Sequence, residues 1–392
     1  MKTPIKHIIS IAVITILVFI AYSNTFDAEW HFDDKPNILN NYSVHASSFS
    51  DIVNARHMTG KMTRCLGFVS FAFNWYFHGK NVAGYHAANI LIHITVTVLV
   101  YCTVFLTLTL PAFRKIPFKT VWLASLFSAL LWGLSPVQTQ AVTYIVQRLT
   151  SLSALFFMLS FMLYIKGRRC MIGGNMRAGI VLALCALPVY GAAVLTKENT
   201  IMLPFLVLAY EHLFISRIRS CRDRRLVIFV FFMAAGFVFI SIARPGVFKI
   251  FINLSESYEK REFTPYERVL TQFRVMVRYL TLILFPHPGR LNLDYNYVIS
   301  RDIVTPVTTL FSMIFIFISI LFAFFARNRF QLISFCILWY FLNNIVESTV
   351  IALEIIFEHR MYIPSIGVIL MITVLLFRLA DRNTGRTAGE TV

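Results

Sequence analysis

About ten apolar stretches recur along this 392-residue chain, most near the 17 to 25 residues that a membrane-spanning helix needs. They fall at 8–22, 83–110, 120–135, 142–165, 178–195, 200–215, 226–243, 304–326, 331–346 and 362–379. Composition agrees: 57% of the residues are hydrophobic and 14% charged, against about 25% charged in a soluble domain. With 38 Phe and a mean hydropathy of +0.69, the chain is not a disordered segment, a collagen, a coiled coil or a soluble two-domain enzyme. The expected class is an all-α polytopic membrane protein.

A formal net charge of +17 would suit a nucleic-acid binder if the basic residues clustered with aromatics on a water-facing surface. They sit mostly between the apolar stretches instead, as Lys2/Lys6, Arg114/Lys115/Lys119, Lys166/Arg168/Arg169/Arg177, Arg217/Arg219/Arg222/Arg224/Arg225, Arg327/Arg329 and Arg378/Arg382/Arg386. Ten spans put all these groups on one side, which the positive-inside rule makes cytoplasmic. Both termini then lie in the cytoplasm. The first stretch follows Lys2 and Lys6 and meets no small-residue cleavage site before Asp27 and Glu29, so it reads as a retained anchor. Segment 266–285 is long enough to span but carries Arg268, Arg274 and Arg278, each costing about 2.5 to 3.5 kcal/mol at a bilayer centre. Counting it as a span would also send two basic groups outside. Residues 246–302 are therefore expected outside, with 266–285 in the interface.

No pair of the six cysteines is positioned for a disulfide framework, and no CxxC, HExxH, Walker motif or repeat period is present. The cytoplasmic loops are short and basic. Any reaction driven by this chain must use an energy source already in the membrane, and its chemistry is expected in the outside segments 24–82 and 246–302.

The first outside segment opens with Asp27, Glu29, Asp33 and Asp34 within eight residues, in a chain with 19 acids. Adjacent carboxylates repel, so Asp33 and Asp34 read either as a pair in which one proton is held or as a pair tuned by a cation. Either suits a general base acting on a hydroxyl; a helix cap is the plainer alternative. Residues 67–77 form an aromatic run that reads as an interfacial helix. In the following stretch His86, Asn89 and His93 share one helical face, as interhelical glue or as substrate or metal contacts.

Phe32-Asp33-Asp34, Gly84-Tyr85-His86 with Asn89 and His93, Pro136 through Gln140 to Arg148, Lys197-Glu198 and Glu358-His359-Arg360 through Ser365 occur in that order. Together they resemble the membrane core of the transmembrane and tetratricopeptide-repeat O-mannosyltransferases and their bacterial relatives, in the glycosyltransferase-C superfamily with the protein O-mannosyltransferases. The resemblance covers nearly the whole chain. It implies a bundle of about 10 to 11 transmembrane helices in one domain, 1–380, with a short tail, 381–392. It implies transfer of a sugar from a polyprenyl-phosphate donor to an acceptor hydroxyl of a protein, lipid or glycan on the periplasmic or lumenal face. By the family pattern Asp33 is the base, and Asp34 orients the acceptor or holds a cation. The chain departs from the pattern in having no repeat array after the last span. Gln140 and Gln147 also stand where an acid and a Gly are expected.

Candidate contacts to substrate or to the leaving phosphate are Arg64, His86, Asn89, Arg148, Lys197, Glu198, Arg274, Arg278 and Arg360, since a guanidinium or ammonium stabilises charge growing on the phosphate. Arg148 and Lys197 also read as snorkelling anchors, Arg274 and Arg278 as contacts to anionic lipid, and Glu358 with Arg360 as a local ion pair. No cofactor is required, although a divalent cation fits the acidic pair. The expected partners are the lipid-linked donor, the acceptor and membrane lipid, with no nucleic acid. An oligosaccharide transferase, ligase or polymerase using a lipid-linked glycan would share this pattern. A flippase or transporter would show paired broken helices and inverted repeats, which are not seen. The basic N-terminus and the lack of a retention signal favour a bacterial inner membrane.

Overall fold

The structure is a computed structural model and describes residues 3–58, 64–215, 254–259 and 261–383. The expected span 226–243, the basic group at 217–225 and most of the tail lie outside the described residues. Among the described residues the regular elements are helices, with no strand. The protein is all-α, and among the described residues five helices are long and apolar enough to cross a membrane, or six if a bent pair counts as one.

Contacts gather into two compact units, residues 1–200 and 201–392, where the sequence suggests a single domain. The first unit contains α1 (Thr3–Tyr22), α2 (Phe49–Met58), α3 (Cys65–His78), α4 (Val82–Leu108), α5 (Phe118–Gly133), α6 (Thr139–Thr143), α7 (Arg148–Ile172) and α8 (Met176–Val194). The second contains α9 (Leu203–Tyr210), α10 (Leu254–Tyr258), α11 (Pro265–Leu284), α12 (Thr308–Phe325), α13 (Gln331–Ile345) and α14 (Pro364–Asn383). Each of the nine expected spans within the described residues coincides with a helix, but two differ in form. The 200–215 stretch is a 3-10 turn, eight α-helical residues and a π-turn. The 120–135 stretch is α5, which breaks after Gly133 and turns by 50° into segment 136–143.

In the first unit, α3 and α4 form a tight hairpin. Gly79 stands at φ +53°, a left-handed conformation open to glycine, and its N–H closes α3 on the Trp75 carbonyl. Asn81 then caps α4 by accepting the Ala83 N–H, and Asn74 Nδ2 donates to the Gly84 carbonyl across the hairpin at 3.0 Å. Further along α4, the buried His93 donates Nε2–H to the Gly133 carbonyl at 2.9 Å, where α5 breaks. Small residues set the α7–α8 contact: a Cβ on Gly167 would stand 2.9 Å from the Gly179 carbonyl. Helices in lipid approach closely through such residues.

In the second unit, Thr264 and Glu267 form a reciprocal capping box with Pro265 in the first turn, which fixes where α11 starts. One face of α11 is polar and buried, and it holds the chain segment 347–357. Arg268 donates to the Glu347, Thr349 and Leu353 carbonyls, Gln272 to the Ile355 carbonyl, and Tyr279 to the Phe357 carbonyl. No α11 window meets the length and hydropathy needed for a span, and the helix covering 266–285 is amphipathic.

Candidate functional site

The chain leaves α1 through a 3-10 turn, Ser23–Asp27, and then makes the acidic turn. Phe32 takes φ +34°, unusual for a residue with a side chain, and the aromatic ring is exposed. The Asp34 N–H returns to the His31 carbonyl at 2.8 Å, and the Lys35 N–H to that of Phe32 at 3.2 Å. This conformation separates two carboxylates that are adjacent in sequence. Asp33 is exposed, while Asp34 is buried with 1% exposure.

Asp34 is held at both oxygens: Oδ1 accepts the Val146 N–H at 2.7 Å and Oδ2 the His31 N–H at 3.1 Å. Burial raises its pKa to about 6 despite these two hydrogen bonds, which favour the charged form. Asp33 donates its backbone N–H to the Tyr144 hydroxyl at 2.8 Å, and the same hydroxyl is hydrogen-bonded to its carboxylate. The Asp33 carboxylate is exposed at the surface of the turn, beside that hydroxyl. The 50° break after α5 carries segment 136–147 to the position where Tyr144 and Val146 receive the turn.

Behind the turn lies Arg148, 1% exposed. Its Nε donates to Asn89 Oδ1 at 2.7 Å, Nη1 to Asn74 Oδ1 at 2.5 Å and the Ser70 carbonyl at 3.1 Å, and Nη2 to the Tyr85 carbonyl at 3.0 Å. The guanidinium also packs 4.9 Å from the Phe71 ring centroid. Its donors are thus engaged within the protein, and it joins α3, α4 and α7. Asn89 turns its amide the other way, to the Val142 carbonyl at 3.1 Å. His86 places Nε2 3.3 Å from the Ala28 carbonyl, a tie from α4 to the approach of the acidic turn, and its buried Nδ1 has no partner among the described residues.

The other first-unit candidates form a second group. Arg64 pairs with Glu198 at 3.2 Å, both partly exposed, and the buried Lys197 donates Nζ–H to Thr150 Oγ1 at 2.9 Å. This group fastens the start of α3 and the first turn of α7 to the chain leaving α8.

Arg274, Arg278 and Arg360 lie in the second unit. Arg274 donates to the Val298 carbonyl at 2.7 Å and packs 5.0 Å from the Tyr297 ring centroid. Arg278 makes no side-chain hydrogen bond or ion pair among the described residues. Arg360 forms a nearly buried ion pair with Glu347 at 3.1 Å and donates to the Ile355 carbonyl at 3.2 Å. Its partner is therefore not Glu358. That carboxylate is buried, accepts from the Asn292 N–H at 2.6 Å and the Tyr295 hydroxyl at 2.5 Å, and has its pKa raised by burial.

Each Asp34 oxygen accepts one backbone N–H. Among the described residues no three His, Cys, Asp or Glu side chains converge as a metal site. Sequence reasoning passed over Tyr144, Asn74, Tyr85, Glu347 and Tyr295 as partners of the candidates. Tyr144 and Asn74 stood inside segments singled out for other residues, so proximity in sequence was their only signal.

No family model matches the chain, and no solved structure does either. Curated relatives do. The chain is 31% identical over 166 residues to human protein O-mannosyl-transferase TMTC4, which covers 39% of this chain and 22% of the relative. It is 28% identical over 206 residues to human protein O-mannosyl-transferase TMTC1, 49% of this chain and 22% of the relative. It is 27% identical over 169 residues to mouse protein O-mannosyl-transferase TMTC3, 40% and 17% respectively. The chain thus spans about a fifth of the length of these relatives. They are the proteins that the ordered motifs resemble.

Proposed function

We propose that this protein is a membrane glycosyltransferase that moves a sugar from a polyprenyl-phosphate donor to a hydroxyl of a protein acceptor on the outer face of the membrane. The division of labour in the acidic turn carries the reading: Asp33 presents a solvent-exposed carboxylate beside the Tyr144 hydroxyl, and the buried Asp34 fixes the turn through Val146 and His31. Similarity to proteins named O-mannosyl-transferases supports the reaction class and the choice of a protein acceptor.

In this mechanism the acceptor oxygen attacks the anomeric carbon while Asp33 takes its proton. The bond from that carbon to the phosphate oxygen breaks, and polyprenyl phosphate leaves with the electron pair. Asp33 touches the reacting oxygen and is the catalytic residue. Asp34, Asn89 and Arg148 are positioning residues, since their polar atoms face the protein. Arg148 contributes through the packing of α3, α4 and α7 rather than by contact with phosphate. A base placed in this way is worth roughly 100-fold to 10,000-fold in rate.

The test is release of polyprenyl phosphate from a labelled polyprenyl-phosphate mannose by the purified full chain with a hydroxyl-bearing peptide present. Release that requires the peptide and collapses in Asp33→Asn is the expected result. Acceptor-independent turnover, or full activity in Asp33→Asn, would overturn the assignment.

A further inference from the structure

The second unit contains a cleft of about 400 Å³ bordered on one side by residues 294–299 and on the other by 354–357, within the size range of small-ligand pockets. Its first border is an extended run. From Leu291 to Ile299 exposure alternates residue by residue, the period of an extended chain. Tyr295 is fixed by its hydroxyl between Glu358 and the Arg290 carbonyl, and the far end is tied by Arg274 to the Val298 carbonyl. Between these ties, the N–H and C=O groups of residues 294–297 have no hydrogen-bond partner among the described residues. Across the cleft, Ile356 is buried, and its main chain likewise has no partner there. Buried main-chain groups such as those of Ile356 are ordinarily paired, and residues 294–297 form a half-exposed extended edge facing it.

The two borders are held rigidly by α11 and by Glu358, so they cannot close on one another to satisfy these groups. We propose that the cleft is a docking site for an extended peptide, which adds its main chain to residues 294–297 as an extra strand. Peptides bind exposed extended edges in this way, with main-chain pairing giving affinity and alternate side chains giving selectivity. Ile299 and Phe263 offer apolar walls, and Glu262 and Asp294 leave two exposed carboxylates without partners among the described residues at the rim. The peptide this fits alternates apolar residues with lysine or hydroxyl residues. The inference goes beyond the glycosyltransferase reading and does not depend on it.

The experiment measures fluorescence anisotropy with the full chain in lipid nanodiscs, against empty nanodiscs. The probe is a labelled nine-residue peptide alternating Leu or Val with Lys or Thr. Methylating its alternate main-chain nitrogens leaves the side chains in place, and should weaken binding about tenfold or more. This comparison uses the unaltered protein. Asn296→Pro removes one main-chain donor and should weaken binding similarly, while Asn296→Ala should stay within about twofold. Equal binding of methylated and unmethylated peptide, no binding above empty nanodiscs, or loss of binding in Asn296→Ala would each overturn the proposal. Sugar transfer is not read, so failure here leaves Asp33 untouched, and failure of Asp33 leaves the cleft untouched.

Discussion

Asp34 Oδ1 accepts the backbone N–H of Val146 at 2.7 Å across 112 positions of sequence, and Asp33, one residue earlier, is tied to Tyr144 at 2.8 Å. Two neighbouring acids thus reach the same short segment differently: Asp34 through its buried carboxylate to a backbone N–H, and Asp33 through its backbone and exposed carboxylate to one hydroxyl.

Asp33→Asn keeps size and polarity but cannot take a proton. Transfer is expected to fall by about 100-fold to 10,000-fold, with unchanged insertion and melting temperature. Asp34→Asn is expected to lower transfer by less, because its carboxylate faces the protein. Glu29→Gln and Asp27→Asn should be mild. The rates of all four variants, measured with one acceptor, check the ordering; a larger loss in Asp34→Asn than in Asp33→Asn contradicts it.

Tyr144→Phe removes the hydroxyl that accepts the Asp33 N–H and meets its carboxylate, while leaving both acids in place. A small displacement of a reacting group costs up to about 100-fold, so a loss of about tenfold to 100-fold in kcat is expected, with donor KM nearly constant. A change confined to KM would contradict the role given to Tyr144.

Asp34 gives the fold a pH dependence of definite sign. Its pKa is raised from 3.8 to about 6 in the folded protein. The folded state therefore binds the proton more tightly than the unfolded state. The resulting stability, on the order of 2 to 3 kcal/mol, is fully present below about pH 4 and is lost as pH rises through about 6. In Asp34→Asn this part of the pH profile should flatten, and thermal melting in detergent across pH 4 to 8 reads it.

Arg148→Lys should destabilise the first unit by about 3 kcal/mol or more, because an ammonium cannot meet four acceptors on two helices and buried groups left unpaired cost about 1 to 3 kcal/mol each. Denaturant midpoints measure it. Activity per folded molecule should fall less than in Asp33→Asn.

With ten spans and residues 246–302 outside, a cysteine placed by Asn296→Cys should react with an impermeant thiol reagent added to intact cells. Labelling only after permeabilisation would reverse the orientation drawn from the Lys and Arg pattern.

The helices were legible because a bilayer demands long apolar runs, and the runs at 83–110 and 304–326 coincide closely with α4 and α12. The 200–215 run shows the limit of that signal: its apolar length does not translate into one helix, since the backbone there passes through 3-10, α and π geometry. The acidic pair was conspicuous in the sequence, but the unequal burial of Asp33 and Asp34 was not. It depends on the left-handed Phe32 and on a backbone N–H contributed by Val146. Arg148 was visible as a cation and hidden as a tie, because two of its partners are the carbonyls of Ser70 and Tyr85, and a carbonyl belongs to every residue alike.

The approach to the acidic turn and the turn itself are fastened at Ala28 by His86, at Asp33 by Tyr144 and at Asp34 by Val146. The turn is therefore not a portable motif. Grafted alone onto another scaffold, its eight residues would keep their chemistry and lose their shape; a chimera would have to carry the first turns of α4 and the bent segment through Arg148 as one block. Substitutions at Tyr144 or His86 should likewise be judged as changes to the acidic turn, although each stands more than 50 positions from the residue it holds.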